Sequence, residues 1–499
     1  MSDSADRSTG VSSELLAPEV WSRRLFSHGW EEGAGGDAAV IEPATGEELG
    51  RVGLASPGDV RSACEAAGRS QPGWASTPFE ERAALMRRAA GLWEVHAAEC
   101  EGWIVRETGS TPGKAAVETR RAAQEAYEAA TLPSHPLGEV LPSATPRLSI
   151  ARQLPVGVVG AIAPFNFPLA LAMGMIAPAL ALGNAVVLKP DPRSAVSGGV
   201  AIARVFEEAG LPAGVLHVLP GGAEVGEALV EDDDVSMIAF TGSTAGGRRV
   251  AERAARQLKR VHLELGGNSA IVVLDDADLE RAVGAAGWAS FLHQGQICMT
   301  AGRHIVHADI ADEYVERLSA AADAIQVGNP ATEAVGLGPL IDADQRDRVH
   351  ALVSTTVGQG ATVTAGGRYE ELFYRPTVLA DVPLDAPAWS QEVFGPVAPV
   401  VRFATLEEAA RLARETPYGL AFSIMTADVM KGLAFADGVP SGVVHVNDQT
   451  VADDATVPFG GVGASGNGAR LGGAKANIEA FTATQWVTVC GEIPPYSLS

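Results

Sequence analysis

The chain has 499 residues, 46% hydrophobic and 20% charged, which supplies ample material for buried cores and excludes a disordered chain. At roughly 100–200 residues per domain this length predicts about three domains or lobes. The net charge of −24 argues against nucleic-acid and anionic-membrane partners, yet allows an anionic cofactor gripped locally by backbone N–H groups and a lysine.

Residues 1–15 are polar and lack an apolar signal core, and the four cysteines (Cys64, Cys100, Cys298, Cys490) show no CxxC or Cys/His spacing. The expectation is a soluble cytoplasmic protein with no disulfide framework and no metal site. Helices are predicted over 57–71, 78–108 and 113–130, followed by a Pro- and Ser-rich connection at 131–148. The run 153–188 carries no charge and exceeds the ~20 residues of a membrane span. Its prolines and glycines break it into strand, loop, helix and strand, a βαβ unit buried on both faces. From 155 to 264 the pattern alternates, with strands at 156–162, 185–188, 214–219, 236–240 and 260–264. Helices at 169–182, 195–208, 223–230 and 245–257 separate them, as in an open parallel sheet. A second alternating stretch begins at 270–274 and continues through 305–306, 422–424 and 443–446. The tail 481–489 reads as a lone strand in need of a partner, for instance on another subunit.

Several segments carry chemistry. Gly295-Gln296-Ile297-Cys298-Met299 follows a helix-like stretch, and a thiol in such a loop is either a small buried hydrophobe or an exposed nucleophile. Glu264, at the end of a predicted buried strand, is either a turn-capping acid or a general base whose pKa burial raises. It lies 34 residues before Cys298, room for a strand and a helix to bring the two together. Asn166, between Pro164 and Pro168, sits in a rigid loop and is either structural or a donor to an oxyanion. Gly242-Ser243-Thr244-Ala245-Gly246-Gly247 joins a strand to a helix, an ordinary capped junction or a phosphate seat. Lys189 ends its own strand. Gly461-Val462-Gly463-Ala464-Ser465-Gly466 matches G-x-G-x-x-G by letters, but lacks the strand and acidic residue of a dinucleotide fingerprint, and is rejected as one.

Together, PFNFP at 164–168, GST at 242–244, LELGG at 263–267, GQIC at 295–298, EVFGP at 392–396 and PFGG at 458–461 resemble the aldehyde dehydrogenase superfamily over roughly 35–490. The resemblance implies an α/β fold: a Rossmann-type cofactor domain (1–135 and 157–264), an α/β catalytic domain (265–466) and a small β oligomerisation element (136–156 and 480–496). It implies a non-acylating, NAD- or NADP-dependent oxidation of an aldehyde. Cys298 would be the nucleophile, Asn166 and the Cys298 N–H the oxyanion donors, and Glu264 the base that hydrolyses the thioester. Ile162, Phe165, Lys189, Gly242, Ser243, Gly247, Leu265, Glu392 and Phe394 would meet the cofactor. Phe167, Gly174, Met175, Ile297, Met299, Asn447 and Phe459 would line the substrate pocket.

Two departures from the family pattern stand out. Pro192 replaces a Glu common in NAD-preferring members, which leaves NADP open, with Arg193 nearby to favour it. Met175 replaces a frequent Lys, and Gly174 a bulky side chain, giving a roomy pocket with apolar walls. The stretch 189–199 and the ending 485–489 look like the benzaldehyde dehydrogenase branch, so a small aromatic aldehyde is the expected substrate. Aliphatic aldehydes or semialdehydes are the alternative, and a non-catalytic dinucleotide-binding protein a more distant one. A homodimer or homotetramer is expected.

Overall fold

The computed structural model describes residues 14–496, so the polar stretch at 1–13 lies outside the described residues. The uncharged run folds into the strand Val158–Ile162, the helix Pro168–Ala181 and the strand Ala185–Lys189, with the two strands parallel. Every residue of Val158–Ile162 is buried, which is why its sequence shows no polar alternation. Among the described residues no helix is long and apolar enough to cross a membrane.

Five parallel strands stand in the order Arg260–Glu264, Val235–Thr241, Val158–Ile162, Ala185–Lys189 and Leu216–Val218. A hairpin of Arg24–Phe26 and Trp30–Glu32 extends the last edge antiparallel. The chain adds strands on one side of Val158–Ile162, then crosses to the other. The strand order therefore reverses between Val158–Ile162 and Val235–Thr241, and ligands of open α/β sheets bind beyond the carboxyl ends of the strands at such a point. Ile162, Lys189, Thr241 and Glu264 all end strands at that edge.

A second sheet runs Thr362–Ala365, Thr377–Ala380, Val397–Phe403, Ala301–His307, Ser269–Val273, Ala421–Met425, Val443–Val446, parallel except for its first pair. Val397–Phe403 carries no clear strand signal in the sequence, because Pro399 sits inside it, and proline is expected at edges rather than in a strand flanked on both sides. The predicted helix at 78–108 is two helices, Phe79–Val95 and Ala97–Thr108, parted at His96, whose ψ of 17° leaves helical geometry.

The tail strand is not alone. Thr482–Val489 pairs antiparallel along its whole length with Leu148–Pro155 of the same chain, which in turn pairs with Gly138–Val140. The two segments lie more than 300 residues apart, so no local pattern reveals the pairing. The helix Ala474–Phe481 leads into this strand and anchors it: Phe481 is fully buried in a core shared with Trp21, Trp93, Ile176 and Phe206.

Candidate active site

Cys298 lies in the loop between the helix Leu279–Phe291 and the strand Ala301–His307. His293, Gln294 and Gly295 all have positive φ and turn the chain sharply into that loop. Gln294 stabilises the turn by donating to the carbonyls of Gly109 and Pro339. For His293 and Gln294 this left-handed backbone is strained, a feature that collects at functional sites. A Cβ on Gly267 would collide with the Cys298 carbonyl, which accounts for the second glycine of the LELGG segment. The backbone N–H of Cys298 donates to no acceptor among the described residues. Burial pushes the thiol pKa well up, and the carboxylates of Glu392, Glu264 and Asp453 push it further.

Asn166 is buried and held on two sides. Its side-chain amide donates to the Gln296 carbonyl at 2.8 Å, and its own carbonyl accepts from the Lys114 ammonium at 2.7 Å. One amide hydrogen remains for a further acceptor. Lys114 is paired with Glu118 at 2.5 Å and sits 4.2 Å from the Phe167 ring centre. Glu118 also accepts from the N–H groups of Leu169 and Ala170, serving as the N-terminal cap that Phe167 and Pro168 cannot provide.

Glu264 ends its strand as expected. Neither carboxylate oxygen has a hydrogen-bond partner. His262 Nε2 stands 3.2 Å from one oxygen but outside hydrogen-bond alignment. Burial raises the Glu264 pKa, and the favourable influences of His262 and Arg470 do not cancel it. The G-x-G-x-x-G segment backs this residue. It opens no helix; Leu265 N–H donates to the Ser465 carbonyl, and Glu264 bridges to Gly466.

Cys298, Asn166 and Glu264 line one cavity of about 270 Å³. Phe167, Gly174, Met175, Ile297, Met299 and Phe459 share its wall, as does Leu265. Asn447 does not. It is exposed, at a φ of 60°, and its side-chain carbonyl accepts from the Thr426 N–H, so it shapes a turn outside the cavity. The expectation of uniformly apolar walls also fails: Lys114, Glu118, Arg121, Glu125 and Asp453 contribute to the lining. The first four lie on the helix Pro112–Ala129 at spacings of four, three and four, one helical face. That spacing in an alanine-rich helix is the signal that would have found them.

The cofactor candidates gather at the carboxyl edge of the first sheet. Ser243 caps the helix Thr244–Arg256 by accepting from Gly246 N–H at 3.1 Å. The N–H groups of Thr244 and Ala245 donate to nothing among the described residues, as a phosphate seat requires. A Cβ on Gly247 would strike Leu265, and one on Gly242 would crowd Phe240 at 2.7 Å. The Lys189 ammonium makes no hydrogen bond among the described residues, and burial lowers its pKa. Ile162 is buried at the end of the central strand. Glu392 accepts from Gly267 N–H at 2.9 Å, and burial pushes its pKa up to about 7. Phe394, held at a φ of 55°, meets Phe165 edge-on at 6.0 Å. Unpartnered N–H donors and a lone ammonium at the carboxyl edge of the first sheet, with the Glu392 carboxylate on Gly267, suit the phosphates and ribose hydroxyls of a dinucleotide. Arg193 is not free for a phosphate: it is bidentate to Asp191, paired with Asp342 at 2.6 Å, and stacked on Phe165 at 4.4 Å.

The aldehyde dehydrogenase family model matches residues 30–487. A vanillin dehydrogenase of Amycolatopsis sp. is 65% identical over 482 residues, 97% of this chain and 99% of that protein. A benzaldehyde dehydrogenase [NAD(+)] of Pseudomonas putida is 50% identical over 477 residues, 95% of this chain and 98% of that protein. Among solved structures, an NADP-dependent enzyme of E. coli superposes with a TM-score of 0.91 at 32% identity, covering 95% of this chain and 100% of that one.

Proposed function

The chain belongs to the aldehyde dehydrogenase family, and from that premise we propose that it oxidises a small aromatic aldehyde to the carboxylic acid with NAD or NADP. The observation that carries this reading is the meeting of Cys298, Asn166 and Glu264 in one cavity. Cys298 gives up its thiol proton to water, its Sγ adds to the aldehyde carbon, and the carbonyl oxygen takes the negative charge. The free hydrogen of the Asn166 amide and the unpaired Cys298 N–H stabilise that oxygen. A bound nicotinamide would supply the hydride acceptor, and loss of the hydride from the reacting carbon leaves a thioester on Cys298. Glu264 takes a proton from water, the hydroxide attacks the thioester carbon, and the Cys298 sulfur departs. A carboxylate with no hydrogen-bond partner and a raised pKa suits this task, since its lone pairs are free to take a proton.

Ser243, Thr244 and the glycines around them would hold the pyrophosphate, Lys189 and Glu392 the riboses, and Phe394 the nicotinamide end. Ile162, Phe165 and Leu265 complete the crevice. Arg193 is already neutralised by two carboxylates, which favours NAD. The aromatic substrate is supported by the two relatives above and by Phe167, Met175, Trp288, Met299 and Phe459 around the cavity. Initial rates with benzaldehyde and hexanal, each with NAD and NADP, test the reading. Preference for benzaldehyde supports it; no reduced nicotinamide with either aldehyde overturns it.

The sheet of Gly138–Val140, Leu148–Pro155 and Thr482–Val489 is the oligomerisation element in this reading. Its outer strand has one free edge and exposes Trp486 and Val489, beside an exposed Val140 and Leu148. The enzyme is then a cytoplasmic homodimer or homotetramer, and a solution mass of one chain by light scattering would contradict it.

A further inference from the structure

The wall of the substrate cavity carries an ion cluster that the chemistry above does not use. Arg121 donates to Glu125 at 2.8 Å and to Asp453 at 3.3 Å. Glu125 is buried, yet only one of its oxygens has a partner. The other oxygen has no hydrogen-bond partner among the described residues, and Glu125 lines the cavity.

Gly174 is the second observation, independent of the first. A Cβ built there would come to 3.9 Å from Glu125 Oε1. Alanine would fit there, in ordinary contact with the oxygen that Arg121 holds. The absence of a side chain at 174 thus leaves room on the cavity wall beside the Glu125–Arg121 pair. Gly174 lies six residues into the helix that starts at Pro168, about 9 Å along its axis. Asn166 stands just before the start of that helix and shares the cavity with Cys298 and Glu125. The length suits one aromatic ring with an aldehyde at one end and a polar substituent at the other. A plain hydrocarbon ring would leave the free carboxylate oxygen dry and unpaired, which is unfavourable.

We propose that Glu125, fixed by Arg121 and with the room that Gly174 leaves beside it, binds a ring hydroxyl para to the aldehyde, making this enzyme selective for phenolic over unsubstituted aromatic aldehydes. This rests on the aldehyde dehydrogenase reading above and names the substrate group that its cavity selects. The phenol O–H donates to the carboxylate. Because the para aldehyde acidifies the phenol, the bond is one proton shared between two oxygens, whichever of them holds it.

The test compares kcat/KM for 4-hydroxybenzaldehyde, 4-methoxybenzaldehyde and benzaldehyde in the wild-type enzyme, in Glu125→Gln and in Glu125→Ala. In the wild type the hydroxyl compound should exceed the methoxy compound about tenfold or more, since the ether cannot donate to the carboxylate. The ratio of the hydroxyl compound to benzaldehyde should fall about tenfold in Glu125→Ala and by less in Glu125→Gln. The effect should lie mainly in KM, because the contact forms on binding and is far from the reacting carbon. Equal wild-type rates for the hydroxyl and methoxy compounds overturn the proposal, with no variant required. So does a ratio unchanged in both variants. Failure of the wild type to oxidise any of the three overturns the family-based activity instead, and so separates the two claims.

Discussion

Two glutamates in the same cavity have opposite surroundings. Glu118 is saturated: Lys114 pairs with one oxygen, and the N–H groups of Leu169 and Ala170 share the other. Glu264 has no hydrogen-bond partner at either oxygen, and burial raises its pKa. Equal burial with unequal satisfaction separates a carboxylate that holds a shape from one that moves a proton. Glu118 orders the helix behind Asn166, and through Lys114 it fixes the Asn166 carbonyl. Glu264 stores an unfavourable desolvation that is relieved whenever it takes a proton.

The largest effect should come from removing the thiol that both glutamates serve. Cys298→Ala should lower turnover by roughly 10⁴-fold or more while retaining cofactor binding by calorimetry. Full activity would dismantle the site on both sides of the comparison.

Lys114→Met should break the saturated side by leaving Glu118 buried without its cation. A loss of about 3–5 kcal/mol in chemical denaturation is expected. The double variant Lys114→Met/Glu118→Leu should recover part of it, although the Leu169 and Ala170 N–H groups lose their cap. An undisturbed single variant would show that the pair holds nothing.

Glu264→Gln should behave in the reverse way. Thioester hydrolysis should slow by about 10²–10⁴-fold, leaving a burst of reduced nicotinamide before a slow steady state. Stability should not fall. The folded pKa of Glu264 lies above its ordinary value of 4.5, so the native protein binds the proton more tightly than the unfolded chain. Ionising this residue therefore weakens the wild type as pH rises above about 4.5, and the Gln variant escapes that loss. Denaturation of both proteins across that range measures it. The hydrolysis rate in the wild type should rise with pH as the carboxylate ionises, a limb the variant lacks.

The smallest effect is at the cofactor crevice. Ser243→Ala removes the helix cap, which is worth about 1 kcal/mol of stability, and weakens cofactor affinity measured by calorimetry.

Much of this site could be read from residues alone, because its elements are local. Phe165-Asn166-Phe167 needs only its two flanking prolines, and Glu264 only the end of an apolar strand. The first sheet was legible for the same reason, with strands and helices alternating at short spacing. The rest depends on distant contacts. Thr482–Val489 looked solitary because its partner Leu148–Pro155 lies far back in the chain. The family resemblance puts Asn447 in the pocket, but its side chain turns to Thr426. Arg193 promised a phosphate contact until Asp342, at the start of a helix in the other half of the chain, neutralised it.

The sequence by itself determined the family, the fold class and the identity of the reacting groups, since these reside in short motifs with fixed local geometry. Only the tertiary structure decided the electrostatics. Whether a buried carboxylate is saturated like Glu118, bare like Glu264 or half-satisfied like Glu125 depends on which donors arrive from elsewhere in the chain. That count of partners sets both pKa and role, and no local pattern encodes it. The −24 net charge therefore says little about the site, where individual carboxylates differ by whether a cation stands beside them.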